Sequence, residues 1–275
     1  MGIVNASPNS FSGPPPAGGL EGQVEEALRL VESGADLIDV GGESSVTVGA
    51  RVGVDEEIRR IAPLVERLAA AGVTVSVDTW KAEVARAALS VGAAMVNDVS
   101  GLSEPALADV CAEVHAALVV LHTRAAPKVR EFPAYADVAA DVLDFLEERM
   151  SEAMRRGVGL EQLILDPGPD FAKAPDQTVE VLRALPRLRA LGRPVLLAVS
   201  RKDFIGAITG RRPRERLAGT LAAVAAGVDL GAAVLRVHDV AEVVDFLAVR
   251  AALGGGAEVP SAPLEDHLRH EGQSG

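Results

Sequence analysis

Residues 74–98, TVSVDTWKAEVARAALSVGAAMVND, hold the unit that decides the fold. A short β-branched run, TVSVDT (74–79), leads into KAEVARAALSV, whose apolar residues recur at helical spacing. Gly92 follows, and then a second short run, AMVND (94–98). The pattern is strand, helix, strand, with a glycine where a helix closes in the left-handed conformation. Both strands end on polar residues, Asp78 in one and Asn97–Asp98 in the other.

Working outward, the same unit recurs along the chain. The other strand candidates are GIVN (2–5), DLIDV (36–40), ALVVLHT (117–123), LILDP (163–167), PVLLAVS (194–200) and AVLRVHD (233–239). Helical periodicity fills the intervals in VEEALRLVES, DEEIRRIAPLVERLAAA, EPALADVCAEV, YADVAADVLDFLEERMSEAMRR, TVEVLRALPRLRAL and RERLAGTLAAVAAG, and VAEVVDFLAVRAAL follows the last strand. Gly34, Gly72, Gly157 and Gly192 repeat the closing signal. Eight strands, each followed by a helix, spell an α/β chain of the (β/α)8 TIM-barrel class, where an open doubly wound sheet would stop at five or six strands. The barrel occupies residues 1–253 as a single domain. Residues 254–275 lack periodicity and read as a disordered tail. Residues 7–19, SPNSFSGPPPAGG, are too rich in Pro, Gly and Ser for a helix and read as a lid loop on the rim.

Composition narrows the function classes. With 48% hydrophobic residues but only 3% aromatics, the core is built from Ala, Val, Leu and Ile, which suits strands buried on both faces. The formal net charge is −12, from 39 acids against 27 bases. Non-specific binding to nucleic acid or to an anionic membrane is thereby disfavoured, since both need a basic surface. The most apolar stretch, residues 217–237, carries Asp229 and Gly231 and divides into a helix and a strand, so it is no membrane span. One cysteine, Cys111, excludes an internal disulfide and fits a reducing cytosol, where it fills a helix face. No basic segment precedes the first apolar run, so no signal peptide is visible and the expected location is cytoplasmic.

A barrel carries its active site at the C-terminal ends of its strands. The residues there are Asn5, Asp39, Asp78, Asn97–Asp98, His122, Asp166, Ser200, Arg236 and His238. Each alone has an ordinary structural reading: Asp78 and Asp166 as helix caps or turn residues, Asn97–Asp98 as a cap. Together, two carboxylates and an amide converging on one mouth match the edge of a heterocycle. A carboxylate accepts paired bonds from an amino group and a ring N–H, and an asparagine both donates and accepts. A second group is basic: Ser200–Arg201–Lys202 after strand seven, and Arg236 with His238, which are two apart and share a strand face. Loops after strands seven and eight are a favoured phosphate site, so a polyanion with a divalent metal is expected there. For Arg201, a surface salt bridge is the competing reading. His122 and His238 lack companion ligands for zinc.

These motifs, MGIVNASPNSFS, DLIDVGGES, VSVDTWKAEVA, VNDVSG, LDPGPDF, SRKDFIG, GTLAAVAAG and LRVHDV, resemble the dihydropteroate synthase family, in order and over residues 1 to about 250. That family is a (β/α)8 barrel joining a pterin diphosphate to p-aminobenzoate in folate synthesis, with release of pyrophosphate. The resemblance implies that Asp78, Asn97, Asp166 and Lys202 hold the pterin, with Arg236 flanking it. It implies that Asn5 helps to bind Mg2+ and that Arg236 and His238 take the diphosphate oxygens. Ser200, Arg201, Phe171 and Ser45 would border the aminobenzoate, and Lys202, Arg236 and His238 would be the catalytic groups. It further implies a homodimer, a target for sulfonamide mimics of aminobenzoate.

The chain departs from the family pattern in its loops. The family's Val-Thr-Pro-Asp-Ser-Phe-Ser-Asp-Gly-Gly corresponds to residues 6–15, where Asn9 and Gly13 stand in place of both acids. The family's Glu-Ser-Thr-Arg-Pro-Gly corresponds to a segment with Ser45 for Thr and Val46 for Arg, and no Pro. Asp-Pro-Gly-Ile-Gly-Phe-Gly-Lys becomes Asp166-Pro167-Gly168-Pro169-Asp170-Phe171-Ala172-Lys173. The chain also begins at strand one, without the short segment that commonly plugs the barrel bottom. The favoured reading is a working dihydropteroate synthase with atypical loops. Behind it stand a paralogue that is weakly active or uses another amine, and then a pterin-binding methyltransferase domain, which has no use for the basic group.

Overall fold

The structure is a computed structural model that describes residues 1–6, 18–44, 51–264 and 268–269. Among these, strands and helices alternate. The first half comprises β1 (Gly2–Asn5), α1 (Gly19–Glu32), β2 (Ile38–Gly41), α2 (Val54–Ala70), β3 (Val75–Asp78), α3 (Ala82–Ser90), β4 (Met95–Asp98) and α4 (Ala106–Val114). The second half comprises β5 (Ala117–Leu121), α5 (Val138–Arg155), β6 (Leu163–Asp166), α6 (Pro175–Arg183), α7 (Leu185–Arg189), β7 (Leu196–Leu197), α8 (Asp203–Thr209), α9 (Leu217–Asp229), β8 (Val234–Leu235) and α10 (Val240–Leu253). Most of the expected lid, residues 7–17, and the second-loop residues 45–50 lie outside the described residues.

Strands β1 to β6 pair in sequence order, all parallel, and β7 pairs β8 in the same sense. Single parallel bridges, Leu165 to Val195 and Gly2 to Val237, join the two sheets. Their backbone bonds, Leu165 N–H to Pro194 O and Val237 N–H to Met1 O, are each 3.0 Å. The ring of a TIM barrel is complete in this way. The seventh and eighth strands are regular over two residues each, far less than the expected 194–200 and 233–239, because only single bridges hold their flanks.

Two further differences have local causes. The helix expected over 178–191 is interrupted between α6 and α7, where Ala184 leaves helical geometry just ahead of Leu185–Pro186. Pro186 has no N–H to donate to the carbonyl of Leu182, four residues back, and its ring crowds that carbonyl, so the helical ladder breaks there. Helix α8 was not expected, because its seven residues are too few to display a period. The five glycines expected to close helices do so, with φ between 76° and 112°.

Side-chain alternation divides the molecule. Outward residues such as Val75, Val77, Val96, Leu118 and Leu165 join the helices in the main core. On α2, Ile61, Leu64, Val65 and Leu68 form the apolar stripe that meets them, all fully buried. Inward residues at the bottom, Met1, Met95, Val119, Leu196 and Ala198, form a separate apolar cluster with Leu37, Ala117, Ile164 and Val234. This cluster is the floor on which the polar mouth rests. Cys111 is fully buried in α4, as expected, and burial pushes its thiol up to about 12. Among the described residues no helix is long and apolar enough to cross a membrane.

Candidate active site

One inward step above the floor lie Asp39, Ser76, Asn97 and Arg236. Asp39 is fully buried and accepts from Ser76 Oγ at 2.6 Å, Asn97 Nδ2 at 3.0 Å and Arg236 Nε at 2.6 Å. A buried carboxylate is costly unless paired and hydrogen-bonded, and this one is both. Arg236 bridges onward from its Nη2 to Asp78 Oδ2 at 3.0 Å. Asp78 and Asn97 stand side by side in the β3–β4 register. Each keeps one oxygen, Asp78 Oδ1 and Asn97 Oδ1, out of water and without a partner among the described residues. An unsatisfied buried acceptor costs about 1–3 kcal/mol, so two adjacent ones mark a place where donors are missing. Burial raises the Asp78 carboxyl above its ordinary value, with Arg236 opposing and Asp39 reinforcing.

Asp166 completes the acceptors from β6. Its Oδ1 takes the Gly168 N–H at 2.7 Å, the turn role foreseen for it, and burial lifts its pKa to about 6 against that bond and the nearby Lys202. Gly168 has φ +66°, and a Cβ there would fall 2.1 Å from His122 O, so only glycine lets the loop lie this close. Lys173 secures the loop from beneath. Almost fully buried, its ammonium reaches His122 Nδ1 at 2.7 Å and the carbonyls of Gly168, Phe171 and His122 at 2.9, 3.1 and 3.2 Å. Burial and the adjacent Lys173 depress His122 to about 3, so its ring is neutral. Nδ1 therefore accepts from Lys173, and Nε2–H donates to Asp141 at 2.9 Å. His122 is a brace for the loop.

The basic group is differently disposed from the sequence reading. Arg201 has φ +59° and pairs with Asp239, as its salt-bridge reading anticipated. Arg236 is engaged by Asp39 and Asp78. His238 meets Ser200 Oγ through Nδ1 at 3.0 Å and through its own N–H at 3.2 Å. Burial, with Arg236 and Arg201 adding, depresses His238 to about 3, so it is neutral in this state. Lys202 is the remaining cation, its Nζ 4.5 Å from the centre of the Phe171 ring. Phe171 packs in turn on a rim cluster of Trp80, Val99 and Leu121.

Asn5 stands at the end of β1, in register with Gly41, and a Cβ at Gly41 would be 3.9 Å from Asn5 Oδ1 and 3.7 Å from Asp78 Cβ. Among the described residues no three His, Cys, Asp or Glu side chains gather as a metal cluster. Ser45 lies outside the described residues. At the base of its loop Glu43 is an anchor: Lys81 at 2.7 Å, Lys128 at 2.7 Å and the Val52 N–H at 2.9 Å converge on it. Burial favours its neutral form, but those partners hold it below its ordinary value. Sequence reasoning gave no site role to Asp39 or Lys173. Asp39 was visible as an inward strand-end acid, whereas Lys173 carries no signal beyond its place in a motif.

A barrel whose mouth presents paired acceptors beside a lysine–phenylalanine edge matches one family model. That model, for pterin binding enzymes, covers residues 1–238. The dihydropteroate synthase of Escherichia coli is 38% identical over 90% of this chain and 89% of its own length. A probable bifunctional folylpolyglutamate synthase/dihydropteroate synthase of Haloferax volcanii is 43% identical over 88% of the chain, which spans 29% of that longer protein. Among solved structures, Xanthomonas albilineans dihydropteroate synthase with 4-aminobenzoic acid superposes with a TM-score of 0.86 at 44% identity, covering 94% of this chain and 93% of that one. The chain belongs to the pterin-binding enzymes and, within them, to the dihydropteroate synthases.

Proposed function

We infer that the mouth condenses 6-hydroxymethyl-7,8-dihydropterin diphosphate with p-aminobenzoate, releasing pyrophosphate, and that Asp78, Asn97 and Asp166 hold the pterin. The observation carrying this assignment is the pair of partnerless buried oxygens on Asp78 and Asn97. A pterin presents an amino group and ring N–H donors along one edge, which is the complement of such a row of acceptors. Lys202 supplies the donor and charge on the opposite side. Phe171 and Lys202 border the aryl amine, with Ser200 and Arg201 nearby.

In the reaction, the C–O bond to the diphosphate breaks with its electron pair going to oxygen. Asp78 and Asp166 stabilise the positive charge that grows on the pterin. The aryl amine attacks the exposed carbon and gives up a proton, so no protein nucleophile is needed. Arg236 and His238 line the side on which the diphosphate oxygens gain charge. His238, neutral in the free protein, can donate there after taking a proton. A divalent metal, Mg2+ on this reading, fits the described donors only as a partner of the substrate, since it holds few protein oxygens and several phosphate or water oxygens. Asn5 would be its protein ligand, and it would neutralise charge on the leaving diphosphate.

Pyrophosphate release from purified protein given Mg2+, pterin diphosphate and p-aminobenzoate tests this reading, and no release overturns it. Because the second loop has Val46 where the family has arginine, a paralogue working on another amine is the second reading. It is favoured if pterin diphosphate binds but only other aryl amines react. Self-association is supported by the apolar outer residues of α10, with Val249 60% and Leu253 86% exposed. Sedimentation equilibrium would reveal a dimer. A reducing, cytoplasmic setting suits the single buried thiol of Cys111.

A further inference from the structure

Asp170 occupies a position where a glycine is expected from the family pattern, and its backbone has the left-handed conformation glycine favours, φ +63°. Aspartate tolerates that conformation better than most residues, though at a cost. Here its side chain makes three contacts that a glycine could not. Oδ2 accepts the backbone N–H groups of Asp203 at 2.5 Å and Phe204 at 3.4 Å, and Oδ1 accepts from Thr178 Oγ1 at 3.2 Å. The Asp170 N–H also donates to Thr178 Oγ1 at 3.1 Å.

Asp203 and Phe204 are the first residues of α8, whose own N-cap, Lys202, makes no side-chain cap bond. The unpaired N–H groups of a first helical turn need an acceptor. Here the cap comes from 33 residues away, on the loop after β6. The two ends of this tie are also neighbours of the amine-binding edge. Asp170 precedes Phe171, Asp203 follows Lys202, and the Lys202 ammonium lies over the Phe171 ring.

We propose that Asp170 is a positioning residue that staples the loop after β6 to the start of α8, setting Lys202 over Phe171 and with it the shape of the aryl-amine subsite. The proposal rests on the reading of Lys202 and Phe171 as that subsite. Electrostatics points the same way: burial lowers Lys202, and Asp170 is the foremost charge opposing that shift.

The test uses Asp170→Gly, which relieves the backbone, and Asp170→Asn, which keeps one acceptor oxygen. Asp170→Gly should raise KM for p-aminobenzoate at least about fivefold, leave calorimetric pterin affinity within about twofold, and expose the Asp203 and Phe204 amides to hydrogen exchange. Asp170→Asn should recover much of the KM and the amide protection. Unchanged KM in Asp170→Gly, or a loss confined to pterin affinity, overturns the proposal. Lys202→Ala separates the two layers. If it changes KM for the amine while Asp170→Gly does not, the staple alone fails. If it changes neither amine KM nor pterin affinity, the subsite reading fails and the proposal with it.

Discussion

Asn97 Nδ2 donates to Asp39 Oδ2 across 3.0 Å, and this bond decides which end of the amide faces the ligand. With Nδ2 committed, Oδ1 is left as the partnerless acceptor. If Asn97 holds the pterin, Asp39 acts on that binding through the amide without itself standing among the partnerless acceptors. Asp39→Ala should weaken pterin binding roughly 10- to 100-fold, about 1.4–2.7 kcal/mol. It should also lower Tm, because Arg236 loses a buried partner. Isothermal titration reads the affinity; an unaltered Kd would mean that the amide is oriented by something else.

Pterin affinity should tighten as pH rises from 5 to 7. Asp166 titrates at about 6, and Asp78 is also raised, in both cases because burial penalises the charged form. Carboxylates accept two donors only when ionised, so binding is weakest where they are protonated. From pH 5 to 7 the ionised fraction of a group with pKa near 6 grows about tenfold. Kd should fall by a similar factor. Asp166→Asn should flatten this profile and abolish most of the affinity at pH 7; a profile unchanged by the substitution would remove Asp166 from the site.

His238 provides a spectroscopic marker of diphosphate binding. In the free protein it stays neutral down to about pH 3, held so by burial and two arginines. A bound diphosphate supplies negative charge and should raise its pKa well above that. Imidazole nitrogen shifts followed by NMR with and without inorganic pyrophosphate would show this. Identical titrations would place the anion away from His238.

Val46→Arg restores the side chain expected from the family in the second loop, and should raise turnover or lower KM for p-aminobenzoate several-fold. Steady-state kinetics on both proteins decides it. An unaffected rate would mean that this chain closes over its amine by other means. The loop's base is already fixed by the Glu43–Lys81–Lys128 cluster, so the substitution should cost little stability.

The barrel and the acceptor row were legible in the sequence because each depends on a local signal repeated several times. Strand ends carry polar residues, helices end at glycine, and parity along a strand fixes which side chains face inward. The parts that escaped depend on distant partners. Asp39 is an ordinary strand-end acid until Ser76, Asn97 and Arg236 arrive from three other strands. Lys173 has no signal in the sequence beyond its place in a motif, yet the turn of its loop aims it at three carbonyls and a histidine ring. The break at Pro186 had a signal that the surrounding helical periodicity masked.

The apolar floor of Met1, Met95, Val119 and Leu196 makes the barrel a cul-de-sac. A ring seated on Asp78 and Asn97 lies below one resting between Phe171 and Lys202, which belongs to the rim with Trp80 and Leu121. If the pterin binds at Asp78 and Asn97 and the amine at Phe171 and Lys202, the deeper reactant would have to load first and be shut in by the second. A molecule that mimics only the shallow reactant can occupy the doorway while the deep berth is full, and so trap what it was meant to meet.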